Sequence, residues 1–133
     1  MAKGLGQDER YWECLSEGRL ELPKCMKCGH WQWPAPYRCN RCGSWEFDWV
    51  PQEIAGILYS WTRVYHSFDG TEGLGSPYVP VLVEIPKAGG IRLLGLLDKE
   101  SQPRIGKRLS GRVETSSVFG REIPAIRWTE VGA

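Results

Sequence analysis

Residues 25–43 read CMKCGHWQWPAPYRCNRCG, and this stretch organises the N-terminal third of the chain. Two residues separate Cys25 from Cys28, ten residues follow, and Cys39 and Cys42 repeat the same spacing. Two residues between cysteines let both thiolates of a tight turn point at one ion. Two such turns, brought face to face, complete the tetrahedron that zinc adopts in structural sites. The spacing therefore predicts a zinc ribbon with one structural zinc ion on Cys25, Cys28, Cys39 and Cys42.

A glycine follows each cysteine pair, at Gly29 and Gly43. Glycine permits a positive φ there, so that the backbone curls under the metal and its amide hydrogens reach sulfur. Four thiolates leave no position for water or substrate, which argues against a catalytic zinc. Two matched pairs also disfavour thiol–disulfide exchange. A rubredoxin-type iron would use similar pairs, but nothing else in the chain is typical of an electron-transfer protein.

The chain has 133 residues, enough for one ordinary domain or two very small ones. Its 17 basic and 16 acidic residues nearly balance, which argues against a general nucleic-acid binder. The charge is uneven, however, because residues 1–85 carry a net −3 and residues 86–133 a net +4. The second half is basic enough to meet phosphates, although scattered Lys and Arg usually form a solvated surface.

The N-terminus, MAKGLGQDERYW, is polar and lacks the apolar stretch of a secretory signal. No segment approaches the roughly 18 apolar residues of a membrane span. The five cysteines are an odd number and four of them form two tight pairs, which fits reduced thiolates better than disulfides. We therefore expect a cytoplasmic protein that does not enter a membrane.

Three segments follow from the pattern: a helical segment (1–21), the ribbon (22–50) and a β-barrel (51–133). A helix is predicted over 7–17, because Tyr11, Trp12 and Leu15 lie three and four residues apart among charged residues. Eleven residues make a marginal helix, so its apolar face must dock on the ribbon or on another subunit.

Downstream of residue 50 the chain is rich in β-branched and aromatic runs separated by turn residues, with no convincing helix between them. The predicted strands are 56–66, 79–85, 91–97 and, more weakly patterned, 108–113 and 123–128. About five strands favour the five-stranded oligonucleotide/oligosaccharide-binding (OB) barrel. The fold class predicted is mainly β: an N-terminal helix, a rubredoxin-like zinc ribbon and an OB-fold barrel.

Seven tryptophans are a high number for so short a chain, and five of them fall within the first 49 residues. One interpretation is packing, since a ribbon has almost no core of its own. The other is a protein interface, where Trp is a favoured anchor. Both are expected, and Trp12, Trp31, Trp33 and Trp45 are the interface candidates. Base stacking is disfavoured because the aromatic half of the chain is also its acidic half.

Two further residues were weighed as catalytic groups. Cys14 lies on the predicted helix and is best explained as a small buried apolar residue. His66 ends the first barrel strand, and no nucleophile can be matched to it from the sequence. An independent enzyme that uses either residue is therefore the least favoured hypothesis.

Several segments resemble the DUF35 family of small proteins in sequence and in order along the chain. They are YWECLSEGRLEL (11–22), CMKCGHWQWPAPYRCNRCGS (25–44), GILYSWTRVYH (56–66), SPYVPVLVEI (76–85), IRLLGLL (91–97) and RIGKRL (104–109). The resemblance covers nearly the whole chain, from Tyr11 to about Trp128. It implies an N-terminal helix, a rubredoxin-like ribbon and an OB-fold barrel.

The resemblance also implies a partner, because DUF35 proteins form complexes with thiolases, thiolase-like acyltransferases and aldolases. The expected role is a non-catalytic zinc subunit in a hetero-oligomer with a thiolase-like enzyme, with acyl-CoA as a possible shared ligand. Candidates for contact with the CoA phosphates are basic residues of the barrel: Arg63, Arg92, Lys107 and Arg108. The alternative is a free-standing nucleic-acid-binding module, since ribbons and OB barrels also occur in such proteins.

Overall fold

The computed structural model describes residues 7–132. The helix α1 spans Glu9–Ser16 and two short 3-10 turns lie at Glu72–Leu74 and Pro86–Ala88. The strands are β1 (Leu20–Cys25), β2 (Phe47–Gln52), β3 (Ala55–Trp61), β4 (Pro80–Ile85), β5 (Ile91–Leu97), β6 (Arg108–Val118) and β7 (Arg121–Glu130). No helix within 7–132 has both the length and the apolar character needed to cross a membrane.

Helix α1 lies within the predicted range and docks through one face. Tyr11, Cys14 and Leu15 are buried, as their spacing on a helix requires. Gly18 has a φ of 79° and ends the helix, while the amide of Arg19 donates to the carbonyl of Cys14 at 2.9 Å. The buried face packs against β1 and β7, so that the helix contacts both the ribbon and the barrel.

Strands β1 and β2 form the two-stranded antiparallel sheet of the ribbon, with Leu20 opposite Gln52 and Cys25 opposite Phe47. Leu20 and Leu22 are fully buried beneath α1, which explains why the sheet does not need a third strand. Glu21 is also buried, and its carboxylate accepts hydrogen bonds from the guanidinium groups of Arg10 on α1 and Arg19. These ion pairs fix the helix to the first ribbon strand.

The remaining strands close into a barrel in the order β3-β4-β5-β7-β6, and β6 pairs back onto β3. All neighbours are antiparallel except β5 and β7, which run parallel at Leu96–Arg127 and Leu97–Trp128. This arrangement is the OB topology that the sequence predicts. The helix, the four-cysteine ribbon and the five-stranded barrel are thus confirmed, and the protein is mainly β.

The ribbon and the barrel share one hydrophobic core. Leucines of β1 belong to the same buried cluster as Leu109 and Trp128 of the barrel. A second contact lies at the turn after β4, where a Cβ atom added to Gly89 would stand 2.8 Å from Cδ1 of Trp31. The glycine at this turn therefore allows a ribbon tryptophan to lie directly on the barrel backbone.

Three of the barrel strands, β3, β6 and β7, differ clearly in length from those predicted. Strand β3 ends at Trp61, and only the isolated pairing of Val64 with Tyr78 continues toward His66. Strands β6 and β7 are longer than predicted because Phe119 and Gly120, with φ of 52° and 73°, form a tight turn that extends the pairing to its tip. The loop 66–77 is fixed to this hairpin, since the amide of Phe119 donates to the carbonyl of Gly70 at 2.8 Å.

Candidate functional site

The two CxxC turns face each other at the end of the ribbon sheet. Sγ of Cys25 lies 3.6 Å from Sγ of Cys42, and Sγ of Cys28 lies 3.6 Å from Sγ of Cys39. All four sulfur atoms lie within 4.8 Å of one another. Sulfur ligands about 2.3 Å from one tetrahedral zinc are separated by roughly 3.8 Å, so this spacing fits a single ion. The structure brings together the four residues that the sequence predicts as ligands.

The backbone of each turn repeats the same pattern. The amides of Gly29 and Gly43 donate to the carbonyls of Cys25 and Cys39 at 2.9 and 3.0 Å, and both glycines have positive φ (76° and 80°). This curl directs further amide groups at sulfur: the amide of Cys28 lies 3.5 Å from Sγ of Cys25, and that of Cys42 lies 3.4 Å from Sγ of Cys39. The predicted role of the two glycines is confirmed.

Gln32 is a further part of the site that the cysteine pattern does not predict. Its side chain is buried, and its amide nitrogen donates to Sγ of Cys39 at 3.0 Å. Its carbonyl oxygen accepts the backbone N–H of Asn40 at 3.1 Å, which fixes the amide orientation. Gln32 therefore supports a ligand from outside the metal shell, a role that commonly orients ligands and tunes their basicity. The sequence feature that could have indicated this role is a polar residue between two tryptophans, Trp31 and Trp33.

The pKa values of Cys39 and Cys28 are shifted in opposite directions. Burial raises the pKa of Cys39, but N–H groups of Cys42 and Arg41 outweigh it and lower that pKa to about 6. The amide of His30 lowers the pKa of Cys28, whereas burial and hydrogen bonds with neighbouring cysteine sulfurs raise it to about 11. Sulfurs this close repel one another when ionised, so all four become thiolates only with a cation among them. Soft, tetrahedral sulfur ligation without a free position is the chemistry of a structural zinc.

The four interface candidates differ in exposure. Trp12 and Trp33 are half-buried at the helix, where the ring of Tyr11 lies 4.4 Å from that of Trp33. Trp31 is half-buried against the barrel turn, with Nζ of Lys24 5.3 Å from its ring centre. Trp45, by contrast, is 68% exposed beside the cysteine turns. The structure thus gives three of these tryptophans a packing role and leaves Trp45 open.

The four basic candidates lie at different places on the barrel. Arg63 lines a cavity of about 250 Å³ at one end of the barrel. Arg108 lines a groove of about 530 Å³ between the ribbon and the barrel, which is mostly apolar. Arg92 lies over the ring of Tyr59 at 3.7 Å and pairs with Glu84, and Lys107 precedes β6 without lining either cavity. No single site collects all four.

The two residues considered as catalytic groups lie in different surroundings, and His66 is exposed. Cys14 is completely buried, as its interpretation as a small core residue predicts, and burial raises its pKa. The ring of His66 packs edge-on against that of Phe68 at 4.5 Å. Burial does not activate the Cys14 thiol as a nucleophile, and the ring contact with Phe68 does not activate His66 as a base.

Comparison with known proteins agrees with this architecture. Residues 12–48 match the ChsH2 rubredoxin-like zinc ribbon domain. The benzoylsuccinyl-CoA thiolase subunit BbsA of Geobacter metallireducens is 32% identical over 92 residues, which cover 61% of this chain and 59% of that protein. The chain thus spans about three fifths of the length of this relative.

Two solved structures share the fold. One is the Ltp2–ChsH2(DUF35) aldolase, with a TM-score of 0.83 at 22% identity over 97% of this chain and 98% of that chain. The other is a DUF35 protein of unknown function from Sulfolobus solfataricus, with a TM-score of 0.59 at 20% identity over 92% and 84% of the two chains. The predicted resemblance is confirmed: the ribbon is of the ChsH2 zinc ribbon type, and the fold is that of DUF35 proteins.

Proposed function

We propose that this chain is a non-catalytic zinc-binding subunit of a thiolase-like enzyme that acts on acyl-CoA. The observation that carries the proposal is the closed four-cysteine centre in a chain that is 32% identical to a subunit of a CoA-ester thiolase. Its tasks would be to stabilise the catalytic partner and to contribute to binding of the CoA ester. The assembly would be a hetero-oligomer.

The chemistry of the metal centre supports an accessory role. All four cysteines point at one another, and Gln32 and backbone amides take up the remaining hydrogen-bonding capacity of Cys39. A zinc ion held in this way has no position for a substrate oxygen or a water molecule. The metal therefore serves to hold the ribbon in shape, and the reaction would belong to the partner.

The surface around the metal supports docking of another protein. Met26, Tyr37 and Trp45 are each more than 60% exposed, and all three belong to the ribbon. A shallow cavity of about 180 Å³ beside Tyr37 and Trp45 continues this surface toward β2. Aromatic and methionine side chains on a rigid base are enriched at protein interfaces. The main contribution of the other tryptophans would be to hold the ribbon rigid beneath these side chains; they are Trp12, Trp31 and Trp33.

Two of the basic candidates are placed where they could contribute to CoA binding. Arg63 and Arg108 line cavities, whereas Arg92 is already paired with Glu84. A subunit that contributes only phosphate contacts would bind the CoA ester weakly when alone and better in the complex. This part of the proposal is separate from the docking of the partner.

Co-expression with a thiolase-like protein from the same organism tests the proposal. We expect a stable complex on size-exclusion chromatography, with one zinc per copy of this chain and a higher soluble yield of the thiolase. Trp45→Ala should weaken the complex, whereas Phe119→Ala, an equally exposed aromatic at the far hairpin, should leave it unchanged.

A chain that stays monomeric in the presence of that thiolase would refute the docking role. Tight binding of a short single-stranded oligonucleotide at physiological salt, with a steep salt dependence, would instead support the nucleic-acid-binding alternative.

A further inference from the structure

A cavity of about 250 Å³ opens at the end of the barrel where β5 leaves it. One wall comes from the loop before β4, with Leu74, Ser76, Pro77 and Tyr78. Residues of the segment 97–102 and Arg127 of β7 complete the lining. Neither ribbon strand contributes to the lining of this cavity, so the cavity lies apart from the four cysteines. It is therefore a site distinct from the metal centre.

The lining of this cavity is cationic. Arg63, Lys99 and Arg127 contribute three positive charges and Asp98 contributes one negative charge, which gives a net charge of +2. Within residues 7–132, none of the three cations has a carboxylate closer than 3.8 Å. The guanidinium of Arg63 instead lies 5.4 Å from the ring of Trp61. Three cations around one cavity, of which only Arg127 has a carboxylate within 4 Å in the described part of the chain, favour an anionic ligand.

Arg127 makes the strongest case, because its side chain is only 16% exposed. Its Nε lies 3.8 Å from a carboxylate oxygen of Glu114, and the other oxygen of Glu114 is 2.6 Å from Arg112. In the part of the chain that the structure describes, the Arg127 guanidinium makes no hydrogen bond at all. A partly enclosed guanidinium that makes no hydrogen bond within the described residues keeps its N–H donors available for an anion in the cavity.

Polar groups beside the cations complete the site. The Ser101 hydroxyl is buried and accepts the backbone N–H of Glu130 at 3.0 Å, so its own hydrogen remains available to donate into the cavity. Lys99 lies over Gly75 of the loop, since a Cβ atom added there would stand 3.3 Å from Nζ. The Glu130 carboxylate accepts the amide of Gln102 at 3.2 Å and is the second acid near the rim.

We infer that this cavity binds a phosphate group through the lining cations Arg127, Lys99 and Arg63. Charge favours this ligand, because the lining carries three cations and one acid, and a phosphate dianion is attracted more strongly to them than a singly charged carboxylate. Guanidinium groups also match the oxygen geometry of phosphate. The phosphate could be free or belong to a nucleotide such as CoA, and only the nucleotide source rests on the proposed function.

Calorimetric titration of the zinc-loaded chain, without any partner, tests the inference. The probes are inorganic phosphate, adenosine 3′,5′-bisphosphate and, as a carboxylate control, acetate. We expect phosphate or the bisphosphate to bind and acetate to bind at least about tenfold more weakly. A bisphosphate that binds about tenfold or more tightly than phosphate identifies a nucleotide source, and equal affinity identifies free phosphate.

Substitutions of cationic and acidic residues in the cavity lining should change the phosphate affinity in opposite directions. Arg127→Gln and Lys99→Gln should each weaken binding about tenfold or more, and Asp98→Asn should tighten it. Arg121→Gln, an exposed arginine near the hairpin tip and outside the lining, is the matched control. Lys99 is exposed, so its substitution keeps the test valid if Arg127→Gln fails to fold.

Absence of binding by both phosphate probes, or equal affinity in the Lys99 and Arg121 variants, would overturn the inference. Because no partner is present, this result is independent of complex formation with a thiolase. A failed titration would therefore refute phosphate binding by this cavity, whereas a failed co-purification would refute complex formation with the thiolase.

Discussion

The contact between Trp31 and the Gly89-Gly90 turn predicts that two adjacent glycines differ sharply in their tolerance of alanine. Both have positive φ, 67° at Gly89 and 77° at Gly90, so alanine costs about 1–2 kcal/mol of backbone strain at either position. A Cβ atom on Gly90 would meet only Cδ of Glu84, at 4.0 Å. A Cβ atom on Gly89 would lie 2.8 Å from Cδ1 of Trp31 and 3.2 Å from its Cβ and Cγ atoms. Overpacking of this kind costs about 1–3 kcal/mol more.

The measurement is the free energy of unfolding in urea, at fixed excess zinc, for Gly89→Ala and Gly90→Ala. We expect Gly89→Ala to be less stable than Gly90→Ala by about 1–3 kcal/mol. Adding Trp31→Ala should remove that difference, because the clashing ring is gone, and the double-mutant cycle should report a coupling of the same size. Equal costs for the two alanines, or a coupling near zero, would show that the ribbon does not lie on the barrel at this turn.

Three further predictions concern the ribbon. Cys39→Ser should reduce the zinc content from one ion per chain to nearly none and unfold the ribbon, because metal binding in small zinc peptides is worth about 10–16 kcal/mol. The control, Cys14→Ser, should retain the metal. Elemental analysis of the two purified variants distinguishes these outcomes. Gln32→Ala should lower zinc affinity about 10- to 100-fold in a chelator competition, and equal affinity would exclude its support of Cys39. Glu21→Gln should cost about 1–3 kcal/mol at pH 7. Burial alone would raise the pKa of Glu21, but hydrogen bonds from Arg10 and Arg19 lower it below 4.5. The ionised Glu21 carboxylate stabilises the fold above the pKa it has in the unfolded chain, and this stabilisation is lost as the pH falls through its pKa in the folded chain. The difference in free energy of unfolding between the wild type and Glu21→Gln should therefore shrink below about pH 4.5.

The metal site could be predicted almost completely from sequence because its information is local. Ligand spacing and the glycines at 29 and 43 specify a geometry that needs no knowledge of the rest of the fold. Gln32 could not be predicted in the same way, because its contact with Cys39 depends on how the ten residues between the cysteine pairs cross beneath them. The same limit applies to Trp31, whose packing partner Gly89 lies 58 residues further along the chain.

The barrel could be predicted in outline but not at its ends. Strands β4 and β5 are short, nearly continuous apolar runs, and their predicted bounds lie within one residue of those observed, whereas β6 and β7 carry many polar residues. Their length depends on the turn at Phe119 and Gly120, where phenylalanine replaces the residues usually found at positive φ. The cationic cavity was not predicted, because Arg63, Lys99 and Arg127 come from three separate segments that only barrel closure brings together.

The unequal burial of the cysteines has a practical consequence for purification and storage. Each CxxC turn has one buried cysteine, Cys25 or Cys39, and one exposed cysteine, Cys28 or Cys42. Oxidants reach thiolates according to their accessibility, so damage in air should begin at the two outward residues, one on either side of the ion. Loss of zinc would then start at the open side of the ribbon while the leucines beneath it were still in place. Fresh reductant in the buffer should preserve metal content far longer than cooling alone.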